Sequence, residues 1–268
     1  MSENGKQNSV GVFWKNLQKK WYFKTLRCII LALFILLLLG YAFMERILFP
    51  APKAEKKAGN ITLQSGNARL DALWLPKENA RNVILYSHGN GEHLAMIKPF
   101  LQEFVKHDYS VLAYDYAGYG ASTGKAGEKQ AYLDVETAYR YLTEKENIPP
   151  GKIIIAGYSV GSGASSYIAT EYPVKALVLI APFASAIQVV LPFSLPFDRF
   201  PNAERLKNKA VPVTVFHGTS DGIVPYRNGK TIFKKASGKK KLITIPGAGH
   251  ASIFPAISET LWQELEKL

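Results

Sequence analysis

From about residue 60 onward, short apolar runs alternate with segments long enough to form helices, and this alternation leaves few folds open to the chain. The runs Ile153–Ala156 and Leu177–Ile180 are almost entirely apolar, as expected of strands in a sheet buried on both faces. Strand–helix–strand alternation implies right-handed crossovers and a mostly parallel sheet flanked by helices. We therefore predict an α/β domain over residues 61–268, with its functional site at the carboxyl ends of the strands.

The predicted elements follow hydrophobic periodicity and the positions of glycine and proline. The predicted strands are Leu70–Leu75, Val83–Ser87, Val111–Tyr114, Ile153–Ala156, Ala176–Ile180, Val213–Phe216 and Leu242–Ile245. The predicted helices lie near Leu94–Lys106, Gly127–Glu146, Gly161–Glu171, Asn228–Lys235 and Ile253–Leu265.

An uncharged apolar run of 17 residues, Cys28–Met44, precedes this domain. A helix of that length reaches about 26 Å at ~1.5 Å per residue, the short end for a bilayer core. We predict a transmembrane anchor over residues 28–49, with interfacial aromatic residues at Trp21, Tyr22 and Tyr41. A cleaved signal peptide ending near Gly40–Ala42 is the open alternative, although the long polar segment before the run favours an anchor.

Lys and Arg are more numerous before this run than after it. Six precede it, within a basic segment over residues 1–27, and four follow it. This bias favours a cytoplasmic N-terminus and an exported domain, by a thin margin. Residues 50–60 are rich in Lys, Ala and Pro and are predicted to be a tether.

The net charge of +12 is concentrated near the apolar run. Residues 1–59 contribute 10 Lys and Arg against 3 Asp and Glu, or +7, and residues 60–268 contribute 23 against 18, or +5. The excess therefore favours contact with a membrane over binding to nucleic acid. The single cysteine excludes an intramolecular disulfide and a cysteine-built zinc site, and no motif implies a metal or an organic cofactor.

The pattern Gly-x-Ser-x-Gly occurs twice, around Ser122 and around Ser159. A nucleophile elbow requires a strand that ends at the motif and a helix that starts directly after it. Only Ser159 meets both requirements, because it lies between Ile153–Ala156 and a segment of small residues. Ser122 lies eight residues beyond its strand and is interpreted as a turn residue.

A nucleophilic serine needs a base, and the base needs an orienting acid. His250 follows the last predicted strand in a glycine-rich turn, whereas His88 and His217 lie in His-Gly pairs expected to shape loops locally. Asp221 lies in the loop after Val213–Phe216, and the order Ser159, Asp221, His250 is that of α/β-hydrolases. Asp115, the competing acid, precedes the serine and is interpreted as structural.

Backbone amides of Asn90 and Val160 are the predicted oxyanion-hole donors. Residues 181–205 follow the strand ending at Ile180, and Ala181–Phe183 and Val189–Phe197 within them are apolar and rich in proline. We interpret them as a small lid beside an acyl-binding groove, with Phe183, Leu191 and Phe193 as candidate substrate contacts; a buried crossover segment is the alternative.

Six short motifs together resemble a branch of the α/β-hydrolase superfamily that holds membrane-associated serine hydrolases, among them protein depalmitoylases and lysophospholipid hydrolases. They are Ser-His-Gly-Asn (87–90), Tyr-Asp-Tyr-Ala-Gly-Tyr-Gly-Ala-Ser (114–122), Gly-Tyr-Ser-Val-Gly (157–161), Phe-Pro-Asn (200–202), His-Gly-Thr-Ser-Asp (217–221) and Gly-Ala-Gly-His (247–250). The resemblance implies the same triad and oxyanion hole. The cytoplasmic depalmitoylases of this branch carry an N-terminal cysteine cluster, whereas this chain has one cysteine, Cys28, and an apolar run.

The sequence therefore predicts a membrane-anchored serine hydrolase that cleaves an acyl ester or thioester, with a lipid or a lipidated protein as a possible substrate. Two alternatives stay open. One is a serine peptidase of the same fold, and the other is an inactive hydrolase fold that serves as a membrane-tethered binding module.

Overall fold

The computed structural model describes residues 4–195 and 198–268. It divides into two compact units, Met1–Ile47 and Leu48–Leu268. The first contains one helix, α1 (Asn4–Leu48), so the basic segment from Asn4 onward and the apolar run are continuous. Its part Lys19–Leu48 is long and apolar enough to cross a membrane, which is a statement about length and composition only. A signal sequence near the N-terminus would pass the same test.

The second unit is built on a single mixed sheet whose described strands number eight. They are β1 (Ile61–Ser65), β2 (Ala68–Leu75), β3 (Asn82–Ser87), β4 (Tyr109–Tyr114), β5 (Ile153–Tyr158), β6 (Ala176–Ile180), β7 (Val213–Gly218) and β8 (Lys240–Ile245). Their spatial order is β1-β2-β4-β3-β5-β6-β7-β8. β1 and β2 pair antiparallel, as do β2 and β4, and every other pair is parallel.

Helices cover both faces of this sheet, which confirms the predicted fold class. They are α2 (Leu94–Lys106), α3 (Glu128–Arg140, extended by a π-helical turn at Tyr141–Lys145), α4 (Gly161–Glu171), α5 (Asn202–Lys207), α6 (Arg227–Lys235) and α7 (Ile253–Glu266). One apolar core lies beneath α3, α4, α5 and α6, and the other lies beneath α2 and α7. Every residue of β3, β5 and β6 is buried, as their apolar sequences require.

Because β3 to β8 run parallel, their last residues lie along one edge of the sheet, which we call the carboxyl edge. The loops after β3, β4, β5, β6, β7 and β8 all leave from this edge. Ser159, Asp221 and His250 lie in the loops after β5, β7 and β8, so the topology delivers all three to one place.

Residues 50–60 do not form the free tether that their composition predicts. The Gly120 amide donates to the Pro52 carbonyl at 2.8 Å, and the Ala58 and Gly59 amides donate to Asp71 Oδ2 at 2.9 and 3.0 Å. The buried Phe49 ring, directly before this segment, also packs inside the second unit. The compact domain therefore begins at Leu48 rather than at Ile61.

Candidate active site

Ser159 lies at a sharp turn between β5 and α4. Its φ of +51° is in the left-handed region, which non-glycine residues seldom adopt and which is held here by the surrounding packing. The Ser159 amide donates to the Ile180 carbonyl at 3.0 Å, which fixes the turn against β6. A Cβ atom at Gly157 would lie 2.4 Å from Ser165 Oγ, and one at Gly161 would lie 2.1 Å from the Ser87 carbonyl oxygen. Both motif glycines are thus required by close packing.

The three side chains predicted to work together form one hydrogen-bonded chain. His250 Nε2 lies 2.9 Å from Ser159 Oγ, and His250 Nδ1 lies 2.7 Å from Asp221 Oδ2. The Asp221 side chain is fully buried, and the His250 side chain is 13 % exposed. With the Nδ1 proton held by the carboxylate, Nε2 is free to accept the hydroxyl proton, so the arrangement can activate Ser159 as a nucleophile.

Asp221 is held as an anion despite its burial. Burial alone would raise its pKa, but hydrogen bonds from His217, His250 and the Val224 amide outweigh that effect and keep the pKa well below its ordinary value. The Oδ1 atom accepts the Ile223 and Val224 amides at 3.0 and 2.8 Å, which leaves Oδ2 for His250. Carboxylates that accept several backbone amides favour the charged form in this way.

The turn after β3 packs directly against the elbow. This is evident at Gly161, where an added Cβ would lie 2.1 Å from the Ser87 carbonyl oxygen and 2.8 Å from that of His88. The Gly89 amide donates to Glu92 Oε2 at 2.7 Å and is therefore occupied. The next amide, that of Asn90, is the one predicted to face an oxyanion. The amide of Val160 lies at the N-terminus of α4, where backbone donors lack acceptors within the helix.

The predicted lid is a loop whose two ends are tied together. Asp198 accepts the Ser185 hydroxyl at 2.5 Å and the Ile187 amide at 2.8 Å, and the Ala186 amide donates to the Arg199 carbonyl. Arg227 of α6 supports the loop from beneath, because its Nη2 donates to the carbonyls of residues 188–190 at 2.9 to 3.3 Å. Residues 196 and 197 of the predicted lid lie outside the described residues.

The three candidate substrate contacts differ in exposure. Phe193 is exposed and Leu191 is half-buried, so both can meet a ligand that enters from solvent. Phe183 is only 2 % exposed, and its ring lies 6.0 Å from that of Phe200. The structure therefore assigns Phe183 to the core, contrary to the predicted contact, because the chain turns inward directly after β6.

Ser122, the serine of the second Gly-x-Ser-x-Gly match, is buried and points into the loop after β4. Its hydroxyl donates to the Asp115 carbonyl and accepts the Asp71 amide, both at 2.8 Å. Asp115 in turn accepts the Leu94 amide at 2.8 Å and lies 3.4 Å from His88 Nε2, so its carboxylate supports the start of α2. Both residues are structural, as the sequence predicted.

We expect Ser122→Ala to lower the free energy of unfolding by about 1–3 kcal/mol, because it leaves a buried amide and a carbonyl without this partner. Ser258→Ala, at an exposed serine of α7, should change it by less than about 0.5 kcal/mol. Denaturant unfolding of both variants tests this. Equal stability of Ser122→Ala and the wild type would contradict the structural role.

Comparison with known proteins identifies the family to which this chain is similar. Residues 78–195 match the family model described as serine aminopeptidase, S33. The α/β-hydrolase domain-containing protein aho-3 of Caenorhabditis elegans is 34 % identical over 182 residues, covering 66 % of this chain and 55 % of that protein. The human α/β-hydrolase domain-containing protein 17B is 33 % identical over 194 residues, covering 71 % of this chain and 66 % of that protein. The chain thus spans between half and two thirds of these relatives.

Solved structures match the same domain. Est1E of Butyrivibrio proteoclasticus, solved with bound ferulic acid, superposes with a TM-score of 0.62 at 18 % identity, and the match covers 77 % of this chain and 99 % of that one. The Pyrococcus furiosus esterase Pf2001 superposes with a TM-score of 0.64 at 17 % identity and covers 77 % of this chain and 89 % of that one. The chain belongs to the α/β-hydrolase family. At 18 and 17 % identity, the likeness to these structures supports the fold alone. The family model and the sequence relatives support a hydrolase.

One contact of His250 in this α/β-hydrolase was not predicted, whereas His217 shapes the loop after β7 as predicted. Tyr158 packs its ring 5.1 Å from that of His250 and donates its hydroxyl to the His250 carbonyl at 3.2 Å. Burial raises the Tyr158 pKa, so this hydroxyl keeps its proton. His217 is fully buried, with Nε2 at 2.8 Å from the Val224 carbonyl and 3.4 Å from Asp221 Oδ2, so it supports the acid loop.

The other histidines lie outside the hydrogen-bonded chain. His88 Nδ1 contacts the Gly89 carbonyl at 2.7 Å, the local role predicted for it. His107, predicted to be solvated, is exposed but stacks on Trp262 with ring centroids 4.1 Å apart. Among the described residues, none of the His, Cys, Asp and Glu side chains form a group that could hold a metal ion.

Proposed function

We propose that this α/β-hydrolase is a membrane-anchored serine hydrolase that cleaves a carboxylic ester or thioester through an acyl-enzyme on Ser159. The observation that carries the proposal is the chain of hydrogen bonds from Ser159 through His250 to Asp221, at 2.9 and 2.7 Å. Serine hydroxyls are weak nucleophiles unless such a base is in contact.

In the proposed cycle, Ser159 Oγ attacks the acyl carbonyl carbon while its proton moves to His250 Nε2. The carbonyl oxygen becomes an oxyanion that accepts the Val160 and Asn90 amides. The tetrahedral intermediate collapses as His250 returns the proton to the leaving alcohol or thiol. Water then attacks the acyl-enzyme by the same route, which releases the acid and restores Ser159.

The proposed substrate is a lipid or another molecule with a medium or long acyl chain. The segment that leads from β6 into the lid has no charged residue or histidine between Ala176 and Phe197. Leu191 and Phe193 lie in it at positions open to solvent. Resemblance to the depalmitoylase and lysophospholipid hydrolase branch supports the same substrate class, including lipidated protein.

We further propose that α1 anchors the protein in the membrane through its apolar run, Cys28–Met44, with the N-terminus in the cytoplasm and the hydrolase domain on the exported side. The length of Lys19–Leu48 and the excess of Lys and Arg before the apolar run support this topology.

Labelling with a fluorophosphonate probe tests the nucleophile. We expect the detergent-extracted full chain to be labelled, Ser159→Ala to lose labelling, and Ser122→Ala, its counterpart in the second motif, to keep it. Loss confined to Ser122→Ala would mean that the wrong serine is proposed. An unlabelled folded wild type would favour an inactive binding module.

A series of substrates then distinguishes an esterase or thioesterase from a peptidase. We expect kcat/KM for p-nitrophenyl octanoate to exceed that for the acetate by at least about 10-fold, because each buried methylene contributes ~0.8 kcal/mol. Octanoyl thioesters should also be cleaved. Hydrolysis of aminoacyl p-nitroanilides without ester cleavage would select the peptidase, an alternative that the description of the matching family model favours.

A further inference from the structure

Exposed large apolar side chains of the hydrolase domain are concentrated at the carboxyl edge. In the described part of Leu48–Leu268 they are Met96, Leu133, Val190, Phe193 and Ile223, exposed by 57, 39, 78, 55 and 65 %. Four of these five follow the carboxyl ends of β3, β6 and β7, and we call these four the edge patch. Only Leu133, in the middle of α3, lies elsewhere. An apolar patch beside an active site marks an interaction surface.

Exposed charged side chains on α2 and α7, the helices that start at this edge, are concentrated toward the ends far from it. The first turns of α2 and α7 lie side by side, with the Phe100 and Phe254 rings 4.9 Å apart, and their exposed residues include Ala95, Met96, Pro99, Pro255 and Ala256. The far ends of the same helices expose Lys106, Glu266 and Lys267. The exposed side chains in the first turns of these two helices, at positions 95, 96, 255 and 256, carry no charge, which lowers the cost of removing them from water.

The chain also enters the domain at this edge. α1 ends at Leu48, and the next residue, Phe49, is buried against Tyr116, Tyr119 and Phe200, with ring centroids 5.9 to 6.3 Å apart. Tyr116 and Tyr119 lie in the loop after β4, and Phe200 lies in the segment after β6. Leu48 and Phe49 are neighbours in the sequence, so the chain enters the second unit beside the loop after β4.

From these three observations we infer that the carboxyl edge rests on the lipid bilayer, with the edge patch in the interfacial layer and the active site facing that layer. This inference deepens the proposed function and rests on its membrane anchor. Apolar side chains exposed near a membrane attachment bind the boundary between headgroups and acyl chains. The scissile bond of a lipid or lipid-linked substrate lies at that boundary, within reach of Ser159.

Fluorescence quenching tests the orientation without any need for activity. Cys28, the single cysteine, is changed to Ser, and new cysteines at Met96, Val190 or Ile223 are labelled with bimane in the full chain in phosphatidylcholine vesicles. We expect a lipid carrying a nitroxide near the top of its acyl chain to lower the emission of each label at least 2-fold. Labels at Leu133 or Lys209, exposed positions away from the carboxyl edge, should be unaffected.

Equal quenching at all five positions, or none at the edge patch, would overturn the inference. Emission changes at the edge patch that grow with protein density but are insensitive to the nitroxide would mean that a second copy covers it, which also overturns the inference. Because this readout needs no catalysis, an inactive wild type would contradict the proposed function alone.

A kinetic test uses the same surface. We expect Met96→Glu to lower hydrolysis of a bilayer-resident long-chain acyl ester at least about 3-fold, while turnover of a soluble short-chain ester stays within about 2-fold. Leu133→Glu is the matched control and should change neither rate. Equal loss on both substrates would indicate damage to the active site instead of lost contact with lipid and would count against the inference.

Discussion

Ser159→Ala and His250→Ala should each lower kcat on an activated ester by about 10⁵ to 10⁶-fold, and the double variant should lose no more than either alone. The reason is that, in the proposed cycle, the two groups carry out one proton transfer through the 2.9 Å contact between Ser159 Oγ and His250 Nε2. Without the base the hydroxyl is not activated, and without the hydroxyl the base has no proton to accept.

Single-turnover and steady-state kinetics on p-nitrophenyl octanoate measure these losses. His107→Ala is the matched control, since His107 is exposed and stacks on Trp262 away from the site, and its kcat should stay within about 2-fold of the wild type. A double variant that loses a further 100-fold over the single variants would show that the two residues act independently.

Asp221→Asn should lower kcat by about 10⁴-fold with little change in KM. Asp221 fixes the proton on His250 Nδ1 through a 2.7 Å contact, and an amide that presents its NH₂ group there would favour the opposite tautomer. The control is Asp134→Asn, at another buried aspartate, which instead bonds Ser65, Gln130 and the Ala117 amide. Its kcat should be unaffected, and equal losses in both variants would contradict the role of Asp221.

The same substitution predicts a difference in acid stability. The pKa of Asp221 is lower in the folded protein than its ordinary value near 3.9, so ionised Asp221 stabilises the fold above that pH. That contribution is lost as pH falls through the folded pKa. The wild type should therefore exceed Asp221→Asn in free energy of unfolding at pH 7, with a smaller difference at pH 3. A difference in free energy of unfolding that is larger at pH 3 than at pH 7 would contradict this prediction.

The sequence was sufficient for the centre of the sheet because the strands there are buried on both faces. The predicted strand Ala176–Ile180 is confirmed to the residue, and Val83–Ser87 and Leu242–Ile245 begin one and two residues late. β1 was missed because it is a short edge strand whose residues alternate between exposed and buried, so Thr62 and Gln64 hide its apolar pattern. The short helix α5, at residues 202–207, has too few turns for a periodic signal.

The candidate site, like the sheet, was predicted only in part. Ser159, Asp221 and His250 each follow a strand that the sequence identifies, so chain order and parallel topology suffice to bring them together. Contacts that depend on side-chain packing had no sequence signal. Tyr158 against His250 and Arg227 beneath the lid are examples, since neither spacing nor composition reports which side chains meet. Phe183 was misassigned because an aromatic residue after a strand suits a groove and a core equally well.

The direct connection in sequence between α1, which ends at Leu48, and Phe49 limits how far the hydrolase can reach. A domain of about 220 residues has a radius of gyration of about 17 Å. If α1 spans the bilayer, the active site stays within one domain diameter, about 45 Å, of its own membrane, and a bulk-soluble target must diffuse into that layer. With a substrate that resides in the same membrane, the reaction becomes a two-dimensional search. Its rate follows the surface density of substrate in the membrane and the lateral mobility of both molecules, and diluting the membrane into a larger volume leaves that rate unchanged.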